Sequence, residues 1–197
     1  MTRTSDVVVA LDVDGVLVEV GHDDDWLDII GAEFDLTHAD LAPFFADHWS
    51  DVIVGRRPIE DALAAFAPTL DCERFLLRWF EESTRINHEM VDAANEWCAA
   101  GARLVLATNQ EHRRASYLRT LLREHLEVID IFYSADLGVG KPDARFFGAA
   151  DKRLNGARVV FIDDVLANVE SARAHGWHGV HYPHDGDWRE QVARYFK

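Results

Sequence analysis

Residues 7–18 read VVVALDVDGVLV, an apolar run that leads directly into two aspartates, Asp12 and Asp14, and a glycine. The run is apolar at every position up to Leu11, which is typical of a central strand in a parallel sheet covered by helices on both faces. We therefore expect both carboxylates just past the carboxyl end of this strand, where open α/β sheets bind ligands. Two negative charges this close favour a divalent cation or a shared proton between them, although an ordinary acidic turn would have the same composition.

The composition indicates a globular chain with a strongly acidic character. Its 197 residues are 48% hydrophobic and 28% charged, and 35 acidic against 20 basic residues give a formal net charge of -15. Such a charge repels nucleic acid and anionic membranes, so we expect neither as a partner. An anionic substrate would need local positive charge from a metal, a lysine or helix amino termini.

Cysteine usage and the amino terminus favour a cytoplasmic protein. Cys72 and Cys98 lie in expected helices without metal-ligand spacing, which fits reduced thiols in the cytosol. The first apolar run is interrupted by Asp12 and is too short for a signal peptide or a membrane span. We therefore expect a soluble protein of the cytoplasm.

From residue 90 onward, helical and strand patterns alternate as in a series of βαβ units. The expected helices cover residues 90–100, 110–126, 143–154 and 165–175, and the expected strands cover residues 102–107, 128–134, 158–162 and 179–182. Together with the first strand, this alternation predicts an α/β fold with a doubly wound parallel sheet of about five strands.

The segment between the first strand and residue 90 breaks this alternation. About seventy residues show no convincing strand but four helical patterns, over 24–31, 37–50, 58–66 and 71–85. Thr37 and Asp71 are suitable N-caps, and Pro58 suits a first helical turn. We interpret residues 19–87 as an inserted helical cap, with residues 1–18 and 88–197 as the core. Seven aromatic side chains are expected to form the interior of this cap, namely Phe44, Phe45, Trp49, Phe66, Phe75, Trp79 and Phe80.

The other strands of the predicted sheet also end in polar residues. Thr108 and Asn109 end the next core strand, where a hydroxyl and helix-start amides can hold phosphate oxygens, although Thr108 alone would more often be an N-cap. Lys141 lies in a glycine-rich loop, where it could neutralise an anion and hold two carboxylates apart. The strand over 158–162 runs into Asp163 and Asp164. Two buried strands that both end in acid pairs predict an oxygen-ligand site for a hard cation, most readily Mg²⁺.

Taken in order, these motifs resemble the four motifs of the haloacid dehalogenase-like superfamily. The matching stretches are DVDGVL, TN, GVGKPD and VVFIDD, the last followed by Asn168 four residues after its final aspartate. The resemblance covers the whole chain and implies a Rossmann-like catalytic core with a small helical cap between the first two motifs. It is specific for fold and chemistry, and it leaves the substrate open.

The resemblance also implies a role for each residue at the site of phosphoryl transfer. Asp12 would be the nucleophile that forms an aspartyl-phosphate. Asp14 would act first as the general acid and then as the base that activates water. Thr108 and the amide of Asn109 would hold the transferring phosphoryl group, and Lys141 would balance the charge of the nucleophile and the phosphate.

The implied cofactor is Mg²⁺. Asp164 would bind it directly, together with Asp12 and the backbone carbonyl of Asp14, and Asp163 would be a further acidic ligand through water. Asn168 would support the loop that carries this acid pair.

Asp14 bears on the type of reaction. A halide leaves without a proton, whereas an ester oxygen leaves poorly without one, and dehalogenases of this superfamily usually lack an acid at this position. The resemblance therefore implies a magnesium-dependent phosphatase that acts on a small phosphorylated metabolite. A phosphomutase acting on a sugar phosphate uses the same aspartates and is the alternative, ahead of a haloacid dehalogenase and of a non-catalytic binding protein. The sequence leaves the oligomeric state open.

Overall fold

The computed structural model describes residues 7–19, 26–184 and 186–196. The strands in chain order are β1 Val7–Leu11, β2 Val18–Glu19, β3 Arg85–Ile86, β4 Arg103–Thr108, β5 Val128–Tyr133, β6 Arg158–Asp163 and β7 His178–His181. The helices are α1 Trp26–Phe34, α2 His38–Asp47, α3 Trp49–Val52, α4 Ile59–Phe66, α5 Cys72–Glu82, α6 His88–Ala99, α7 His112–Leu122, α8 Ser134–Leu137, α9 Ala144–Leu154, α10 Leu166–His175 and α11 Trp188–Ala193. Within the described ranges, no helix combines the length and the apolar character needed to cross a bilayer.

Five strands form a parallel sheet in the order β5-β4-β1-β6-β7. Strand β1 lies at its centre, with Ala10 opposite Val105 of β4 and Phe161 of β6. Every residue of β1 is buried, because this strand has neighbours on both edges and helices on both faces. The predicted α/β fold with a five-stranded parallel sheet and a helical insert is confirmed.

The two faces of β1 contribute to different hydrophobic clusters, since successive side chains of a strand point to opposite sides. Val7, Val9 and Leu11 pack in the cluster that includes residues of α6, α7 and α11. Val8 and Ala10 pack in the cluster that includes residues of α9 and α10. The sheet is therefore the middle layer of three, and its carboxyl edge is where loops can form a site.

Helices α1–α5 form the helical insert, which we call the cap. It has its own hydrophobic cluster, and all seven aromatic residues expected in its interior belong to that cluster or pack against it. The rings of Trp26 and Trp79 are stacked with centroids 4.7 Å apart. Thr37 begins α2 with a reciprocal capping box to Asp40, and Asp71 caps α5, so both predicted N-caps are confirmed.

The structure corrects the prediction that no strand occurs between β1 and residue 90. Strands β2 and β3 pair antiparallel, with Val18 opposite Ile86 and Glu19 opposite Arg85, at the two ends of the cap. Two residues per strand are too few for a periodic pattern to be read from sequence. The predicted cap boundary at residue 19 falls on this ribbon, and residues 20–25, including the expected start of the first cap helix at residue 24, lie outside the described residues.

Three predicted helices are shorter than expected, and the one expected over 71–85 ends at Glu82. The pattern over 37–50 is divided, because α2 ends at Asp47 and α3 begins at Trp49. Helix α7 begins at His112 instead of residue 110, because the carboxylate of Glu111 accepts hydrogen bonds from the backbone N–H groups of Arg113 and Arg114 and caps the helix. Helix α7 also ends at Leu122 instead of residue 126. None of these differences changes the sheet.

Candidate active site

Three charged residues meet in the buried interior at the carboxyl edge of the sheet. Asp12 follows β1, Asp163 ends the neighbouring strand β6, and Lys141 reaches between them from the loop before α9. The Lys141 Nζ atom lies 2.9 Å from Asp12 Oδ2 and 2.5 Å from Asp163 Oδ2. All three side chains are buried. A single ammonium group therefore holds two carboxylates apart, as the sequence analysis expected for Lys141.

Burial in this cluster shifts the protonation of its members. Desolvation raises the pKa of Asp12 to about 7, with the charge of Asp163 adding to the shift and the charge of Lys141 opposing it. Desolvation on its own would lower the pKa of Lys141, but the two carboxylates outweigh it and hold that pKa above its ordinary value. Two carboxylates share one ammonium here, so the cluster has room for further positive charge.

A third carboxylate, that of Asp164, completes an acidic group at this edge. Carboxylate oxygens of Asp12, Asp163 and Asp164 lie within 4.8 Å of one another. Burial raises the pKa of Asp164, and the charge of Asp163 adds to this effect. Gly15 has a φ of +81°, and a Cβ at this position would lie 2.2 Å from Asp164 Oδ2, so only glycine lets the loop after β1 approach so closely. Three oxygen ligands on two such close loops fit a magnesium ion.

Asp163 differs from the other two carboxylates in how fully it is hydrogen-bonded. In addition to Lys141, it accepts hydrogen bonds from the backbone N–H of Val165 at 2.8 Å and from Asn168 Nδ2 at 3.1 Å to each oxygen. These donors fix Asp163 as the anchor of Lys141 and of the loop before α10. The contact from Asn168 is the kind expected of a residue that supports this loop.

Thr108 and Asn109 lie at the end of β4, the other neighbour of β1. Thr108 is buried. The side chain of Asn109 binds the backbone of Lys141 on both sides, because its Oδ1 accepts from Lys141 N at 2.8 Å and its Nδ2 donates to Lys141 O at 2.9 Å. A Cβ on Gly140 would lie 2.9 Å from Asn109 Oδ1, so the glycine before Lys141 permits this contact. The Asn109 side chain thus positions the lysine loop.

The side chain of Asp14 is held apart from the buried cluster by two partners that the sequence analysis did not identify. Gln110 Nε2 donates to Asp14 Oδ2 at 2.6 Å, and Arg114 Nη2 donates to Asp14 Oδ1 at 2.8 Å. Arg114 also donates from Nη1 to Ser83 Oγ in the cap at 2.6 Å. The side chain of Asp14 is 39% exposed, against 9% for Asp12. The two aspartates of the first motif therefore face different surroundings.

The cap contacts the core close to these residues. Ser134 Oγ donates to the backbone carbonyl of Ile53 at 2.6 Å. Gly55, with a φ of +73°, approaches the carbonyl oxygen of Ala135 so closely that a Cβ would lie 2.4 Å from it. A larger residue at this position would push the cap away from the core.

A comparison with known protein families identifies the chain. Residues 7–176 match the haloacid dehalogenase-like hydrolase family. The chain belongs to this family. The match includes Asp12, Thr108, Lys141 and the acid pair of β6, so the resemblance noted from the motifs is confirmed. No curated protein sequence matches the chain.

Solved structures of other family members share this fold over almost the whole chain. The HAD family enzyme BT-2542 from Bacteroides thetaiotaomicron, in complex with magnesium and inorganic phosphate, has a TM-score of 0.71 and 16% identity, over 93% of this chain and 97% of that one. A predicted HAD-like family hydrolase from Porphyromonas gingivalis has a TM-score of 0.68 and 19% identity, over 94% and 95%. A HAD phosphatase from Thermococcus onnurineus has a TM-score of 0.62 and 18% identity, over 91% and 87%. At these identities the likeness concerns the fold.

Proposed function

We propose that this hydrolase is a magnesium-dependent phosphatase that cleaves a small phosphate monoester through an aspartyl-phosphate intermediate. The observation that carries the proposal is the second carboxylate, Asp14, which lies two residues after the nucleophile and apart from the buried cluster, with its side chain 39% exposed against 9% for Asp12. Departure of an alkoxide needs a proton donor in this place, whereas departure of a halide does not. The arrangement therefore supports ester cleavage over dehalogenation.

The residues present fit a magnesium ion. Asp12 and Asp164 would hold it through their carboxylates and Asp14 through its backbone carbonyl, with Asp163 as a further ligand through water. When bound, the ion supplies positive charge that neutralises phosphoryl oxygens and lowers the pKa of nearby carboxylates. Because burial raises the pKa of Asp12 to about 7, this added charge favours the ionised form that a nucleophile requires.

In the first step, a carboxylate oxygen of Asp12 bonds to phosphorus while the bond from phosphorus to the ester oxygen breaks. The electron pair of the broken bond stays on the leaving oxygen, which takes a proton from Asp14. The Thr108 hydroxyl and the amide of Asn109 would donate hydrogen bonds to the phosphoryl oxygens. The ammonium of Lys141 balances the negative charge that the phosphoryl group brings beside Asp12.

In the second step, water attacks the phosphorus of the aspartyl-phosphate. Asp14, now a carboxylate, takes the proton from this water, and the bond from phosphorus to the Asp12 oxygen breaks. The products are inorganic phosphate and the original carboxylate of Asp12, so the enzyme returns to its starting state. The relative from Bacteroides thetaiotaomicron, whose structure holds magnesium and inorganic phosphate, supports this assignment for a chain of the same fold.

The substrate class that we propose is a small phosphorylated metabolite. The cap packs directly on the core through the Ser134 and Ile53 contact, which favours a substrate of limited size over a macromolecule. The formal net charge of -15 opposes nucleic acid as a partner. We propose that residues 19–87 act as this cap and that the remaining residues form the catalytic core.

Turnover of 4-nitrophenyl phosphate with and without Mg²⁺ tests the proposal. We expect metal-dependent release of phosphate that is abolished in Asp12→Asn. The matched control is Asp92→Asn, which makes the same change on an exposed position of α6 and should keep wild-type activity. An Asp12→Asn variant as active as the wild type, or a wild type inactive on a broad panel of phosphate esters, would refute the phosphatase assignment.

A phosphomutase would use the same aspartates but return the phosphoryl group to a sugar. Conversion of a sugar 1-phosphate to its 6-phosphate without release of free phosphate would therefore favour that alternative. Release of halide from a 2-haloacid would favour a dehalogenase. We expect hydrolysis with release of free phosphate instead of either result.

A further inference from the structure

We infer that Arg114 is a positioning residue that fixes the proton donor Asp14 and makes its placement depend on the cap, through Ser83. The inference rests on the proposed phosphatase function and adds to it a residue outside the four motifs. Arg114 lies in the first turn of α7, immediately after the motif that contains Thr108. It is separated from Asp14 by 100 positions and from Ser83 by 31.

The guanidinium of Arg114 forms a fork between the core and the cap. Its Nη2 donates to Asp14 Oδ1 at 2.8 Å, and its Nη1 donates to Ser83 Oγ at 2.6 Å. Gln110 Nε2 donates to the other oxygen of Asp14 at 2.6 Å. With one donor on each oxygen, rotation of the Asp14 carboxylate would break at least one charge-assisted or short hydrogen bond. The two donors thereby select one orientation of the side chain.

Burial of Arg114 indicates that this contact is kept at a cost to stability. The side chain is 10% exposed, and its Nε atom is buried with no hydrogen-bond partner within the part of the chain that the structure describes. A buried N–H without an acceptor is unfavourable, and an ion pair to a partly exposed carboxylate contributes little to stability. Asp14 is more exposed and could be hydrated without Arg114. The two contacts of Arg114 are therefore better explained by a role in placing Asp14 than by a contribution to the stability of the fold.

The position of Ser83 makes the fork sensitive to the cap. Ser83 is the C-cap residue of α5, two residues before strand β3, which pairs with β2 at the base of the cap. A shift of α5 would move the hydroxyl away from Arg114 Nη1 and free the guanidinium to rotate. Asp14 would then lose its fixed orientation. Proton donation is thus best aligned when the cap packs on the core.

The neighbouring residue, Arg113, provides a matched control. Its Nη1 lies 2.7 Å from Glu60 Oε1, and its Nη2 lies 2.7 Å from Glu73 Oε2, both in the cap. Arg113 therefore also links α7 to the cap, but in the described part of the chain its guanidinium donates to the cap carboxylates of Glu60 and Glu73 and not to Asp14. Loss of this arginine leaves the contacts of Arg114 with Asp14 and Ser83 in place, so it should disturb the orientation of the proton donor less than loss of Arg114 does.

The test compares two esters of similar size whose leaving groups differ in their need for a proton. The 4-nitrophenolate of 4-nitrophenyl phosphate leaves readily as an anion, whereas the alkoxide of benzyl phosphate requires protonation. Because general acid catalysis contributes about 100-fold or more, we expect Arg114→Met to lower kcat/KM for benzyl phosphate by about 30-fold and for 4-nitrophenyl phosphate by less than about threefold. Ser83→Ala should also lower the ratio of kcat/KM for benzyl phosphate to kcat/KM for 4-nitrophenyl phosphate, by a smaller factor than Arg114→Met. Arg113→Met leaves both donors to Asp14 in place, so it should change the ratio of the two kcat/KM values less than Arg114→Met does.

Arg114→Lys provides a second variant if Arg114→Met does not fold. The single ammonium of lysine keeps the charge but cannot reach both Asp14 and Ser83 as the guanidinium does. Arg114→Lys should therefore also lower kcat/KM more for benzyl phosphate than for 4-nitrophenyl phosphate. An active wild type together with an unchanged substrate ratio in the folded Arg114 variants would overturn this inference alone. A wild type without metal-dependent turnover of either ester would overturn the proposed function and this inference with it.

Discussion

Within the described residues, Lys141 carries the only ammonium group that contacts both buried carboxylates, those of Asp12 and Asp163. Its replacement by methionine removes this charge. The Nζ atom lies 2.9 Å from Asp12 and 2.5 Å from Asp163. At an effective dielectric constant of about 20, one such contact corresponds to about 6 kcal/mol of Coulomb energy. Because desolvation offsets part of this energy, loss of one partner from a buried pair typically costs about 3–5 kcal/mol. We expect Lys141→Met to lower the free energy of unfolding by this amount near pH 8 in the presence of a chelator.

The pH dependence of this loss separates charge from packing. Burial raises the pKa of Asp12 to about 7 even though Lys141 opposes the shift, so the variant should have a still higher value. In the unfolded chain, Asp12 has an ordinary pKa near 3.9. Between these two values the folded state binds a proton that the unfolded state does not, so stability increases as the pH falls. Below pH 7 both proteins bind this proton, so only the variant gains fully between pH 8 and pH 7, by about 1.4 kcal/mol for that one pH unit. The loss in Lys141→Met should therefore be smaller by about this amount at pH 5.

Urea unfolding followed by tryptophan fluorescence measures this effect, since the chain contains six tryptophans. Wild type and Lys141→Met are compared at the two pH values with chelator. Equal destabilisation at both would show that the lysine contributes through packing of its aliphatic chain, and our electrostatic account of the cluster would be wrong. Methionine keeps a similar length and flexibility, so packing changes little in this comparison.

Three further predictions concern the geometry around the cluster. Gly15→Ala should weaken Mg²⁺ binding at least about tenfold in a calorimetric titration, because its Cβ would lie 2.2 Å from the carboxylate of Asp164. Gly138 is the control, since it also has a positive φ but open space around it. Gly138→Ala should lower the free energy of unfolding by about 1 kcal/mol and leave Mg²⁺ binding unchanged. Asn109→Ala should lower the unfolding free energy by about 1–3 kcal/mol, because it removes two hydrogen bonds to the Lys141 backbone; unchanged urea stability would contradict this. Since protons compete with the metal for Asp12 below its pKa of about 7, Mg²⁺ affinity should fall by about tenfold per pH unit below that value and level off above it, and a flat profile from pH 5 to pH 8 would contradict that pKa.

The elements that follow from hydrophobic periodicity were predictable, and the short ones were not. The uninterrupted apolar run Val7–Leu11 predicts a central strand because both of its faces are buried. Strands β2 and β3 have two residues each, and they pair the chain at one end of the cap with the chain at the other. Such a short pairing leaves no periodic pattern in the sequence. The start of α7 was misplaced by two residues, because the N-cap is Glu111, a residue type that rarely caps helices.

Part of the site follows from topology and part from distant contacts. Asp12 and Asp163 were expected to meet, because the carboxyl ends of neighbouring parallel strands lie at one edge of a sheet. Lys141 was recognisable from its glycine-rich loop in the motif order. Arg114 and Ser83 had no comparable signal in the sequence. Arg114 contacts Asp14, which lies 100 positions away in the sequence, and Ser83, which lies 31 positions away. Only packing of the cap on the core brings them together.

The segment 108–114 connects the chemistry of the core to the position of the cap. Asn109 binds the backbone of the lysine loop, Gln110 and Arg114 hold the proposed proton donor, and Arg113 binds two cap carboxylates. Because Arg114 contacts both Ser83 of the cap and Asp14, a change in the position of α5 is expected to act on the proton donor. Substitutions in the interior of the cap can then alter substrate choice while α5 keeps its place, whereas a change at Ser83 acts directly on the proposed catalytic step. The end of α5 is therefore where we expect specificity and chemistry to be coupled.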